Sequence, residues 1–173
     1  MIRQSNKKQK LFDLYEEMFS SKNGVGLLNL CRECKASCEK GPDVVVLLPF
    51  ESQFIKHKLR QSRNEKTSPS KIREIECVTG CCPFFQDEKC SIHSFRPIDC
   101  RTYPLTPIFK KNSFELKLLR GCPYRDNIPR SFLNQISSVW QRLLPLLSST
   151  WKKRYNHVVS SLPLKDLPPY LAK

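Results

Sequence analysis

Apolar residues recur at Leu11, Leu14, Tyr15 and Met18, the i, i+3, i+4, i+7 spacing of one helix face. That spacing predicts a short amphipathic helix over 11–18, ended by Ser20-Ser21-Lys22-Asn23-Gly24. Val44-Val45-Val46-Leu47-Leu48 is an unbroken apolar, β-branched run and predicts a buried strand, entered through a turn at Gly41-Pro42. Pro49 suits the first position of a following helix, from which Phe50, Phe54 and Ile55 would face inward. Between 53 and 73 the pattern turns basic: Lys56, Lys58, Arg60, Arg63, Lys66, Lys71 and Arg73 stand against one acid, Glu65. Its middle, Gln61 to Ser70, is polar and predicts a surface loop.

Further on, Ile108-Phe109, a Lys-Lys-Asn-Ser turn and Phe114-Glu-Leu-Lys-Leu118 predict a hairpin, with Phe114, Leu116 and Leu118 on one face. The helical period returns at Phe132, Ile136, Val139, Trp140, Leu143, Leu144 and Leu147. Pro145 lacks a backbone donor and should kink or break this helix. Trp151, Tyr155, Val158, Val159 and Leu162 carry the period on to about 162, where Pro163, Pro168 and Pro169 stop it. Arg142, Lys152 and Lys153 fall on other faces, so both tryptophans read as core.

Composition changes the picture in two ways. With 173 residues, 39% apolar and 27% charged, the chain has the make-up of one globular domain rather than of a disordered segment. The domain is therefore taken as 1–173. Its formal charge of +14 permits attraction to nucleic acid, anionic lipid or acidic proteins and does not choose among them. No run approaches the ~20 apolar residues of a membrane-spanning helix. The opening Met-Ile-Arg-Gln-Ser-Asn-Lys-Lys-Gln-Lys leads into no apolar h-region, so a secretory signal is not expected and the cytoplasm is.

In that compartment thiols stay reduced, and nine cysteines, an odd number, make a poor disulfide framework. They form two groups and a follower. Cys31-x2-Cys34-x3-Cys38 comes first; Cys77, Cys81, Cys82, Cys90 and Cys100 come next, and Cys122 stands alone. Prolines at 83, 97 and 104 make the second stretch a loop-rich frame. A thiolate site needs four sulfurs around the metal, and two cysteines at x2 spacing can grip one ion through a tight turn. A cubane cluster also takes four thiolates. Arg32, Glu33, Lys35 and Lys40 make the first group a polar loop, which favours metal ligands over buried core thiols.

With both groups in view, the chain resembles the YkgJ-like cysteine-cluster family (CxxCxxCC), described as chelating zinc or iron. The match is carried by Cys31-x2-Cys34-x3-Cys38, the apolar run into a helix at 44–55, Cys82-Pro-Phe-Phe with Cys90-Ser-Ile, Arg96-Pro97, Cys100-Arg101, Tyr103-Pro104 and Cys122. It covers about 27–125. Many members close the first group with a Cys pair, where this chain has Cys38-Glu39; some have Tyr where His93 stands. The resemblance implies metal ligation by Cys31, Cys34, Cys38, Cys82, Cys90, Cys100 and Cys122. Seven thiols exceed one four-ligand site and fall one short of two, so Cys77 or Cys81 would have to complete a second. Both readings of that pair, ligand or structural, stay open. The implied fold is α+β: a small cysteine-ligated domain with short strands or a hairpin, and C-terminal helices over 128–162 packed on it. The implied cofactor is zinc or an iron–sulfur cluster, [4Fe–4S] if iron. A related cysteine pattern in flagellin lysine N-methylases, which look like iron–sulfur proteins, makes a modification or redox enzyme the alternative.

The remaining candidates weigh less. Arg96 and Arg101 read either as donors beside the metal or as braces of the loop, for instance to Asp99, and the brace is favoured. His93 is read as filling an aromatic packing slot ahead of being a ligand, and His57 and His157 as surface residues. The basic 53–73 stretch carries a single aromatic, Phe54, where single-strand binding wants several, so a nucleic-acid partner is not favoured. There is no Gly-rich phosphate loop, HExxH, GxSxG or paired-carboxylate motif. Whether the chain is an enzyme is left open, and no protein partner is identified.

Overall fold

Each predicted apolar face finds a partner in the computed structural model, which describes residues 9–15, 45–61, 84–86, 89–119, 122 and 125–168. Residues 9–15 are helical (α1), burying Leu11, Leu14 and Tyr15. Helix α2 spans Glu51–Gln61. Its Phe54 meets Phe12 and Tyr15 at ring-centroid separations of 4.9 and 4.7 Å, and Tyr15 stands edge-on to Phe50 at 5.5 Å. Phe50, Phe54 and Ile55 are buried, as the pattern predicts. Lys56, Lys58 and Arg60 lie on α2 itself, and Lys58 reaches over the Phe54 ring.

The cysteine frame is short pieces, as its prolines predict. Strands β1 (Phe85–Gln86) and β2 (Lys89–Cys90) pair antiparallel, a 3-10 turn covers His93–Phe95, and α3 spans Ile98–Thr102. The hairpin follows in its expected place. Strand β3 (Leu105–Phe109) pairs with β4 (Phe114–Leu119), Phe109 opposite Phe114, closed by Lys110 N–H donating to the Ser113 carbonyl at 2.8 Å.

Helix α4 spans Arg130–Leu143 and buries Phe132, Leu133, Ile136, Val139, Trp140 and Leu143. At Pro145 the chain tightens into a 3-10 turn over Leu144–Leu146 and re-enters a helix at α5 (Ser149–Val159). The Ser148 side chain caps α5 by accepting from Trp151 N–H at 3.1 Å. The period-based break is thus a true break between two helices. The three-proline stop after 162 also hides a strand: β5 (Leu164–Lys165) pairs with β4, giving the antiparallel order β3-β4-β5. Two residues flanked by prolines offer no alternation from which to read it.

Phe109 joins these layers. Its ring lies 5.3 to 5.8 Å from Tyr155, Trp140 and Trp151. Its backbone, on the outer edge of the sheet, exchanges two hydrogen bonds with the Asn156 amide, at 2.8 and 2.7 Å. The amide stands in for a missing neighbouring strand. The fold is α+β, with helices on a small antiparallel sheet.

One predicted element is different in kind. The run at 45–48 is half-buried at Val45 and buried from Val46 to Leu48, but Val45 forms a single bridge and no ladder follows. Its polar backbone is met by side chains instead. Val46 N–H donates to Asp99 Oδ2 at 3.0 Å, Leu48 N–H to Glu51 Oε2 at 2.7 Å, and the Leu47 carbonyl accepts from the Trp151 indole at 3.3 Å. A buried backbone must be paired, and here helices supply the partners. Met18, the 20–24 stop, the Gly41-Pro42 turn, Val44 and the basic stretch beyond Gln61 lie outside the described residues.

Candidate functional site

Three of the predicted ligands lie among the described residues. Cys90 ends β2, is half-buried and packs against the apolar core. Cys100 is the third residue of α3 and half-buried. Cys122 follows β4 and is buried. Cys31, Cys34, Cys38 and Cys82 lie outside the described residues, as do Cys77 and Cys81. Among the described residues no group of three His, Cys, Asp or Glu side chains is placed to hold a metal ion.

What the structure does display is how the segment before Cys100 is held. Glu51 is fully buried and its two carboxylate oxygens accept from different elements: Oε2 from Leu48 N–H and Oε1 from Ile98 N–H at 2.6 Å. With Pro49 entering the helix, the Leu48 bond is the return half of a capping box. The Ile98 bond crosses to α3. Tyr15 donates its hydroxyl to the Arg96 carbonyl. Arg101 donates Nε to the same carbonyl at 3.0 Å and Nη2 to the Ser94 carbonyl. Asp99 takes Val46 N–H on one oxygen and the Tyr155 hydroxyl on the other, at 2.6 Å, and Tyr155 also meets the Thr106 hydroxyl at 2.8 Å.

The electrostatics follow from enclosure. Burial pushes the Glu51 carboxyl up to about 8, against the opposing pull of the Leu48 and Ile98 N–H groups. Burial likewise lifts Asp99 to about 6, while Tyr155 and Val46 pull it down. The Tyr15 hydroxyl is raised well above its usual value, first by burial and then by the charge of Glu51; a charge on Cys100 adds to this and Arg101 opposes it. Burial lowers the Arg101 value, and the charges of Tyr15 and Glu51 work against that. Tyr15, Glu51, Arg101 and Cys100 therefore share one electrostatic neighbourhood.

Several expectations change here. Arg101 does brace the frame, yet it binds carbonyls rather than Asp99, whose oxygens are engaged by Tyr155 and Val46. Arg96 is buried and its Nε has no hydrogen-bond partner among the described residues. His93 is exposed on a 3-10 turn, not packed in an aromatic slot, since that turn buries none of its own residues. His57 and His157 are exposed, as expected. Glu51 carries no weight in the sequence reading. The signal that marks it is Pro49 followed two residues later by a Glu, a helix-entry pattern.

These observations define an α+β domain in which a thiol-bearing frame is braced by buried polar side chains. Residues 30–123 match the CxxCxxCC family, "Putative zinc- or iron-chelating domain". The matched stretch takes in all nine cysteines and more than half of the chain, and the chain belongs to this family. Helices α4 and α5 lie beyond the match. No curated protein and no solved structure gives a match. The donor set suits the group that the family name implies, because thiolate sulfur is a strong ligand for both zinc and iron. Among the described residues no helix is long and apolar enough to cross a membrane.

Proposed function

We propose that this chain is a cytosolic metal-binding protein whose thiolates hold a zinc ion or an iron–sulfur cluster, within one domain formed by residues 1–173. Cys31, Cys34, Cys38, Cys82, Cys90, Cys100 and Cys122 are the ligand set, and Cys77 or Cys81 is the candidate for an eighth. The observation that carries the reading is that a family match for zinc or iron chelation runs from the residue before the first cysteine to the residue after the last. A physical argument supports it. The first cysteine group sits in a polar stretch, and ordering a stretch costs about 1–2 kcal/mol per residue in backbone entropy alone. Metal–thiolate bonding can offset that, since structural zinc supplies about 10–16 kcal/mol of apparent binding free energy in small domains.

The test is to purify the protein without oxygen and quantify zinc and iron. A brown protein with broad visible absorption and bound iron selects the cluster; a colourless one with stoichiometric zinc selects the zinc site. Cys34→Ser and Cys100→Ser should each lower metal content and melting temperature together, and Cys77→Ser should do so less. Full metal and full stability in both of the first two variants would overturn the reading that the two cysteine groups hold one metal centre together.

A further inference from the structure

Helix α3 is five residues long, too short to hold itself in water. It is held by ties from outside the cysteine frame. Tyr15 of α1 fixes the Arg96 carbonyl, Glu51 at the start of α2 fixes Ile98 N–H, and Val46 and Tyr155 fix the Asp99 carboxyl. The residue after these is Cys100. Glu51 is central because it engages both of its oxygens and is fully buried, so it can neither shift nor trade its partners for water.

We propose that Glu51 is a positioning residue for metal binding: by tying Leu48 N–H to Ile98 N–H it fixes the α3 turn and sets where Cys100 presents its sulfur. The inference rests on the reading of Cys100 as a ligand. A group that holds a ligating residue in place shapes metal binding without touching the metal. Glu51→Gln keeps the volume and places an amide NH2 against one of the two backbone N–H donors, so the clamp loses one arm.

The experiment is a double-mutant cycle on the full chain, purified without oxygen. Wild type, Glu51→Gln, Cys100→Ser and the double variant are equilibrated against graded EDTA, and retained zinc and iron are measured. Glu51→Gln should lower apparent metal affinity by about tenfold, the low end of the range for groups that bond a ligand directly, because Glu51 acts through the Ile98 N–H two residues before Cys100. It should add little once Cys100 is already Ser, because its effect passes through that sulfur. Trp140→Phe is the stability control; its indole N–H has no hydrogen-bond partner among the described residues, so it perturbs packing only. It should lower the melting temperature and leave the EDTA midpoint in place. If Cys100→Ser keeps wild-type affinity, the ligand reading itself falls. If Cys100→Ser loses metal while Glu51→Gln does not, the positioning role is wrong and the ligand reading stands. Equal losses from Glu51→Gln in both backgrounds, or a matching midpoint shift in Trp140→Phe, would also overturn positioning. Should Glu51→Gln not fold, Glu51→Asp takes its place in the same cycle, since a side chain one methylene shorter cannot reach both the Leu48 and Ile98 N–H groups; an unchanged midpoint there overturns the proposal.

Discussion

The hairpin and C-terminal helices, 105–168, and the cysteine frame with its supports, 45–51 and 84–104, are two solutions to the same problem of holding a short chain in place. The first region is organised by apolar contact: Trp140, Ile136 and Leu143 are fully buried, and Phe109 gathers three aromatic rings. The second is organised by polar side chains reaching into backbone: Glu51, Asp99 and Tyr15 each hold a carbonyl or N–H of another segment, and Arg101 holds the carbonyls just ahead of its own helix. Apolar packing is non-directional and tolerates modest change of shape, whereas a buried polar contact is costly when a single partner is lost. The comparison predicts that the two regions fail differently.

The largest break falls in the apolar region. Trp140→Ala should cost about 3–5 kcal/mol, as large-to-small changes of buried aromatics do, and should lower the urea midpoint of the whole chain. A loss confined to a fraction of that would show that the helices are an appendage. Tyr155→Phe tests the seam between the regions, because its ring belongs to the aromatic cluster and its hydroxyl to Asp99 and Thr106. Removing the hydroxyl should cost about 1–3 kcal/mol by leaving buried acceptors unmet, with the ring packing intact. No change in stability would mean that the seam is held by packing alone.

A third test separates the regions by pH. Glu51 has its carboxyl raised from 4.5 to about 8, so the folded state holds that proton more tightly than the unfolded chain. Its contribution is fully present below about 4.5 and is lost as pH rises through about 8. The slope is limited to about 1.4 kcal/mol per pH unit for one proton. Urea midpoints should fall from pH 5 to pH 8 in the wild type, whereas in Glu51→Gln the fall should be confined to the range below about pH 6 that Asp99 accounts for; an equal slope in both up to pH 8 would show that other groups set the pH dependence. The smallest effect is expected at the α5 cap. Ser148→Ala should cost about 1 kcal/mol, seen as a small drop in melting temperature with metal content unchanged. A loss of metal there would deny the separation of the two regions.

What rests on period and on local stereochemistry can be read along the chain. The faces of α1, α2, α4 and α5, the hairpin at 108–118, the break at Pro145 and the broken-up character of the frame are all readable, because each follows from side chains a few residues apart. The family resemblance was equally legible, since it lies in the order and spacing of cysteines. Tertiary structure alone decided the rest. The apolar run at 45–48 reads as a strand, but its backbone is met by the side chains of Asp99, Glu51 and Trp151 and no ladder forms. Glu51 carries no weight when the chain is read alone, and ties the entry of α2 to α3 only when Ile98, 47 positions away, is brought against it. Contacts over such separations leave no periodic mark in the chain. A directional hydrogen bond needs one donor and one acceptor at the right place, and place is a property of the folded backbone alone.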